Sequence, residues 1–119
     1  MKRKQTPEGQ LLRLVLDWLA AKHIFSLRMN SGTLINQAGR PVTFGVPGCA
    51  DILAFPRLSV SIIESSGRPV ITPFPVWIEL KAPKGKQSKL QKSFQAKVEA
   101  EGHRYILART LEDIEAVLR

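Results

Sequence analysis

The first rhythm along the chain is helical. Leu11, Leu12, Val15, Leu16 and Leu19 recur three and four residues apart, which aligns one apolar side of a helix. Thr6-Pro7-Glu8 marks its start. Threonine can cap, proline suits the first helical position, and an acid in the first turn favours the helix dipole. The spacing predicts a helix running to Lys22, with Glu8 at the start of its apolar face. The period then shortens to two. Residues 24–30 alternate weakly and read as a strand, ended by Ser31-Gly32. Residues 33–44 read as a hairpin turning at QAGRP, followed by a second break at Val46-Pro47-Gly48. A short apolar strand opens on Asp51 and runs to Phe55. Residues 58–63 and 69–72 form a further hairpin around SSGR, and Pro69, Pro73 and Pro75 mark it as an edge feature. Residues 76–81 give the next strand, stopped by Ala82-Pro83-Lys84-Gly85. Leu90, Phe94 and Val98 mark a second helix that stops at Gly102. Residues 105–108 form a last strand, and Thr110 to Asp113 open a short final helix with a capping-box pattern. This order predicts an α/β fold, a mixed central sheet flanked by helices, in one domain spanning 1–119.

Charge adds a partner class. The chain has a net charge of +8, an excess that favours a polyanion, most often nucleic acid. A merely basic protein explains the total equally well, so the placement of the charges has to decide. Cys49 is the single cysteine, which removes an intramolecular disulfide or a CxxC metal site and fits a reducing, cytoplasmic compartment. Asp17, Pro56 and Glu79 break the longest apolar stretches well short of the ~20 residues of a membrane span. The basic start continues into a proline, an acid and a glycine, not an apolar run, so no signal peptide is read. Neither a membrane partner nor a nucleotide cofactor is expected.

The chemistry lies in the strand around Glu79. Alternate strand residues share a face, so Val76, Ile78 and Leu80 form one set and Trp77, Glu79 and Lys81 the other. Glu79 and Lys81 therefore project from one side, close to the strand's end. A surface ion pair worth about 0–1 kcal/mol is the simplest account of them. It fits poorly with a strand that is apolar on both sides, or with Asp51 opening a second buried strand after a glycine turn. Two carboxylates on neighbouring strands repel unless a positive charge lies between them. Magnesium suits that place, because it takes one or two protein carboxylates and completes its shell with water and phosphate.

Gly48-Cys-Ala-Asp51, Glu79-Leu-Lys81 and the downstream Gln91 resemble the PD-(D/E)xK nuclease superfamily, and more closely its VRR-NUC branch of virus-type replication and repair nucleases. Glu8, then Gly48 with Asp51, then Glu79 with Lys81, then Gln91 follow that family's order. The stretches 28–32, 44–48, 81–85 and 102–113 are similar as well. Residues 57–75 look like a hairpin insertion, longer than the family's usual link. Ala50 stands where the superfamily name implies proline, a position that is not a ligand. The resemblance implies a restriction-endonuclease-like core and Mg2+- or Mn2+-dependent hydrolysis of DNA. Asp51 and Glu79 would hold the metal, with the Leu80 carbonyl as a further ligand and Glu8 reaching it directly or through water. Lys81 would orient the attacking water or stabilise transition-state charge. Gln91 would position Lys81, a water or the substrate phosphate. The resemblance also implies a homodimer acting on branched DNA such as four-way junctions, and a phage-encoded origin in a bacterial host.

Lys86, Lys89 and Lys92, spaced by three, are expected along one side of the second helix, with Lys84 in the loop before it. A solvated helix face is the ordinary account of such a run. Beside the Glu79-Leu-Lys81 strand it reads instead as a ridge for DNA phosphates. Arg28, Asn30 and Ser31 join this DNA-contacting set, and Arg40 and Lys2-Arg3-Lys4 are weaker candidates. Cys49 is expected to be a small packed residue, His23 and His103 surface residues, and Trp18 and Trp77 packing residues. Glu64, Glu99 and Glu101 are expected to be surface acids. Nicking, flap or duplex cleavage, a non-catalytic DNA-binding accessory and an RNA-binding module are the competing functions. The RNA module would leave the acids unexplained.

Overall fold

A computed structural model of the chain describes residues 6–57, the backbone of 59–63 and 69–71, Gly67, and residues 75–118. The elements are α1 (Pro7–Ala21), β1 (Phe25–Arg28), β2 (Gly32–Ile35), β3 (Pro41–Phe44), β4 (Ile52–Phe55), β5 (Ser59–Ile63), β6 (Pro69–Ile71), β7 (Val76–Leu80), α2 (Lys89–Ala100), β8 (Arg104–Ala108) and α3 (Leu111–Leu118). The protein is thus a small α/β chain with a mixed sheet and, among the described residues, three helices. None of them is long and apolar enough to cross a membrane.

The central sheet has four strands in the order β1-β4-β7-β8. β4 runs antiparallel to both β1 and β7, while β7 and β8 are parallel. A parallel pair needs a long crossover, and α2 supplies it. One face of the sheet buries Ile52, Ala54, Val76, Ile78, Leu80, Ile106 and Ala108 against Val15 and Leu19 of α1 and Ile114 and Leu118 of α3. Each fully buried aliphatic side chain there contributes about 1.5–3 kcal/mol. On the opposite face Phe94 and Val98 of α2 cover Trp77 and Tyr105.

The helix limits follow local chemistry. The Thr6 hydroxyl accepts the Gly9 N–H at 3.0 Å, and Pro7 takes the first helical position. Beyond α1, His23 sits at φ 57° while the Ile24 N–H donates to the Leu19 carbonyl at 2.9 Å. Beyond α2, Gly102 sits at φ 85° while the His103 N–H donates to the Val98 carbonyl at 3.0 Å. Both ends are Schellman closures, one with the expected glycine and one with histidine.

Both expected hairpins form, but among the described residues neither joins the central sheet: β2 pairs with β3, and β5 with β6. The sheet is therefore narrower than the number of strand-like segments suggested. The Met29 N–H donates to the Asp51 carbonyl at 2.8 Å, one step beyond the Arg28–Ile52 pair, and β2 begins after it in a separate sheet. Leu58 and Thr72, the outer limits of the second expected hairpin, lie outside the described residues.

A second difference concerns Leu90. It was expected in one apolar stripe with Phe94 and Val98, yet it is 58% exposed. It belongs to the first turn of α2, which lies over the turn at Gly48 and not over a strand. A side-chain carbon added at Gly48 would come within 2.3 Å of the Leu90 carbonyl oxygen. Only a glycine at φ 79° allows that approach.

Candidate active site

β4 and β7 bring the carboxylates together. Ile52 pairs with Ile78, so one residue further along the register Asp51 faces Glu79. Asp51 is held from the main chain: the Leu80 N–H donates to Oδ2 at 2.7 Å. Glu79 is only 3% exposed. Its Oε1 accepts the Gln91 amide at 2.9 Å and lies 3.9 Å from the Lys81 ammonium. Its Oε2 is buried with no hydrogen-bond partner among the described residues.

A buried acid in this position resists ionisation. Burial, and secondarily the charge of Asp51, raise Glu79 to about 8, although Lys81 opposes the shift. Asp51 is also raised, chiefly by burial and against the pull of the Leu80 N–H. Two crowded carboxyls, one with an unpartnered oxygen, fit a divalent cation in place of a shared proton. Leu80 has its side chain in the core at 2% exposure, so its only possible donor to a cation is the backbone carbonyl.

Glu8 stands near the pair without joining it, and its charge adds to the upward shift of both Asp51 and Glu79. It is exposed on the first turn of α1, not packed on the apolar face, and its Oε1 accepts the Ala82 N–H at 3.3 Å. Among the described residues, no three His, Cys, Asp or Glu side chains gather as a metal-holding group. Glu8 and Asp51 both line a cleft of about 180 Å³ with Thr6, Gly9, Leu12 and Leu80. A larger cavity of about 770 Å³ lies beside Trp18, Lys22, Pro56 and Arg57, at the other end of β4 from Asp51. Among the described residues its lining holds no paired acids, whereas the smaller cleft opens on Asp51.

Gln91 has a different partner from the expected ones. Its amide engages Glu79, not Lys81. The reason is its place in a capping box: Ser88 caps α2 by accepting the Gln91 N–H at 3.1 Å, and the Ser88 N–H donates to Gln91 Oε1 at 2.9 Å. With Oε1 occupied, the amide nitrogen is turned toward Glu79. The Ser88-x-x-Gln91 spacing was readable as a helix start; the bond to Glu79 was not.

The expected DNA-contacting residues fall on three segments. Lys84, Lys86, Lys89 and Lys92 are all exposed. Lys86 is not on the helix, however, because α2 begins at Lys89; the Ser88 cap leaves Lys86 in the loop. Lys89 and Lys92 are one turn apart on α2. Arg28 pairs with Ile52, which puts Arg28, Asn30 and Ser31 at the Asp51 end of the sheet, all exposed. Arg40 is exposed at the turn of the β2–β3 hairpin, outside the central sheet that carries the carboxylates. Lys2-Arg3-Lys4 and Glu64 lie outside the described residues.

Most of the packing expectations hold. Cys49 packs with Ala50, Phe94 and Val98, and Trp77 meets Phe94 edge-on at 5.0 Å. Trp18 packs against the core, and Glu99, Glu101 and His23 are exposed. His103 is not a free surface residue: Trp77 Nε1 donates to its Nδ1 at 3.0 Å, and it is half-buried. No family model matches the sequence, and no curated protein or solved structure is significantly similar to it.

Proposed function

We propose that the chain is a Mg2+- or Mn2+-dependent DNA endonuclease with a restriction-endonuclease-like, PD-(D/E)xK core of the VRR-NUC kind. One observation carries the reading: Asp51 and Glu79 face each other across two buried strands, with Glu79 Oε2 unpartnered and Lys81 beside them. A structural ion pair needs one acid; this arrangement holds two where burial disfavours both.

Asp51, Glu79 and the Leu80 carbonyl would hold the metal. When bound, it lowers the pKa of a water and offsets charge on the phosphate oxygens. Asp51 is kept in position by the Leu80 N–H, and Glu79 by Gln91. Lys81 orients the attacking water and places positive charge against the extra negative charge that phosphorus-centred attack creates. Glu8 braces the backbone just beyond Lys81 through Ala82. The lysines at 84, 86, 89 and 92, with Arg28, Asn30 and Ser31, contact the DNA backbone without reading sequence. The preferred substrate is branched DNA, a four-way junction in particular, cut by a homodimer with one centre per strand.

The test is cleavage of labelled junction, flap, duplex and single-stranded DNA with magnesium or manganese by wild type, Lys81→Ala and Asp51→Asn. The reading expects metal-dependent cutting, greatest on junctions, lost in both variants. Cutting best on flaps or duplexes keeps the nuclease and replaces its substrate. Tight DNA binding without cutting by any form would leave a DNA-binding accessory protein.

A further inference from the structure

The carboxylate pair is connected to a network that lies outside it. Gln87 is half-buried, and its amide nitrogen donates to Gln95 Oε1 at 2.9 Å and to the Tyr105 hydroxyl at 3.1 Å. Gln95 lies on α2 and Tyr105 on β8, so one side chain ties the 81–88 loop to both elements. Arg109 secures the same loop from the other side, donating to the Gly85 carbonyl at 2.8 Å. Gln87 directly precedes Ser88, whose N–H fixes the Gln91 amide, and that amide in turn holds Glu79.

Resting on the nuclease reading above, we infer that Gln87, with Tyr105 and Gln95 as its anchors, is a positioning residue of the active site: it sets Ser88, and so directs Gln91 onto Glu79. The network touches neither substrate nor metal. Its effect passes from the Tyr105 bond through the Gln87–Ser88 backbone to Gln91, and from there to Glu79. The surroundings suit that task. Tyr105 is half-buried and packs in the cluster with Trp77, Phe94 and Val98, so its hydroxyl is a fixed point. Burial, and to a lesser degree the charges of Glu79 and Asp51, push its pKa up to about 12, so it remains a neutral phenol at any working pH. An amide nitrogen that donates to two neutral acceptors is a better ruler than a charged side chain, because salt does not loosen it.

The same bonds explain why a polar side chain of the loop turns inward among apolar neighbours. Lys84 and Lys86 stay exposed, while Gln87 between them and the helix does not. The loop can therefore present its lysines outward while its far end stays fixed against the sheet.

The experiment compares wild type, Gln87→Met and Tyr105→Phe on one junction substrate, measuring kcat, KM, DNA affinity in calcium, and thermal unfolding. Methionine keeps the length of Gln87, and phenylalanine keeps the ring of Tyr105. Since a misplacement of about 1 Å can cost up to ~100-fold, kcat is expected to fall at least ~10-fold in Gln87→Met and less in Tyr105→Phe, which leaves the Gln95 acceptor. KM and calcium-supported affinity should stay within about twofold, because the exposed lysines are untouched. The double variant should be no worse than Gln87→Met alone, since both changes break one connection. Unchanged kcat in Gln87→Met overturns the inference, as does a fall in affinity and melting temperature that parallels kcat. A wild type that does not cut DNA defeats the nuclease reading itself, and this inference with it; an active wild type with normal variants defeats this inference alone.

Discussion

Glu79 makes the stability of the protein depend on pH in an unusual direction. In the fold its carboxyl is raised to about 8, against 4.5 as the ordinary value. Between those two pH values the folded chain holds a proton that the unfolded chain has released. Protons bound in the native state exceed those in the unfolded state, so stability falls as pH rises. The stabilisation is complete below about pH 4.5 and is lost as pH passes through about 8. Asp51, shifted upward as well, contributes with the same sign. In a chelator, the melting temperature at pH 8 should therefore lie on the order of ten degrees below that at pH 5, a loss on the order of a few kcal/mol. Calorimetry at the two pH values checks this, and Glu79→Gln should flatten the dependence. Manganese should restore more stability at pH 8 than at pH 5, because it needs the ionised pair. These residues were legible in the sequence because strand parity places Glu79 with Lys81 and away from Val76, Ile78 and Leu80. The Gln91 bond to Glu79 was not, since parity assigns faces and says nothing about which helix comes to lie beside a face.

Helix ends and tight turns carry the next set of consequences. His23 and Gly102 perform the same task in two Schellman closures, but only glycine is free of the left-handed steric penalty. His23→Gly should raise stability by about 0.5–1 kcal/mol, measured by urea unfolding, with the gain limited by the added freedom of the unfolded chain. Gly48 behaves in the opposite way. Alanine there must adopt φ 79° and meet the Leu90 backbone, which cannot move like a side-chain tip. Gly48→Ala should cost on the order of 2–4 kcal/mol and should also weaken cleavage, since Gly48 joins the Asp51 turn to α2. Thr6, Pro7 and Gly102 announced their helix limits because capping is a local interaction. The separation of β2–β3 from the sheet and the exposure of Leu90 depend on neighbours distant in sequence. The placement of Lys86 shows the same limit on a smaller scale: its three-residue spacing from Lys89 looks helical, but the Ser88 cap starts the helix after it.

For the whole molecule, number of copies and net charge are the properties that decide function. Among the described residues one chain carries one carboxylate pair, so on the proposed function symmetric cutting of a four-way junction requires two chains. Phe25, Leu34 and Ile35, between 64% and 68% exposed, give the surface apolar area that such an association can use. Sedimentation should find twice the 13.3 kDa chain mass, free or on DNA; a strict monomer in both states would remove symmetric resolution. The net charge of +8 sets the second expectation. Binding that releases counterions from phosphates weakens with salt, with log K falling by about 0.9 per log unit of salt for each phosphate neutralised. Lys84, Lys86, Lys89 and Lys92 are exposed on the loop and helix that follow β7, so contacts by all four predict a slope near −4, or steeper if Arg28 joins them. Lys89→Ala with Lys92→Ala should reduce that slope by about 2 while leaving the preference among DNA structures intact, because phosphate contacts position the protein and do not specify sequence. An unchanged slope would move the DNA off the α2 ridge and leave the positive charge of this face without a function in binding.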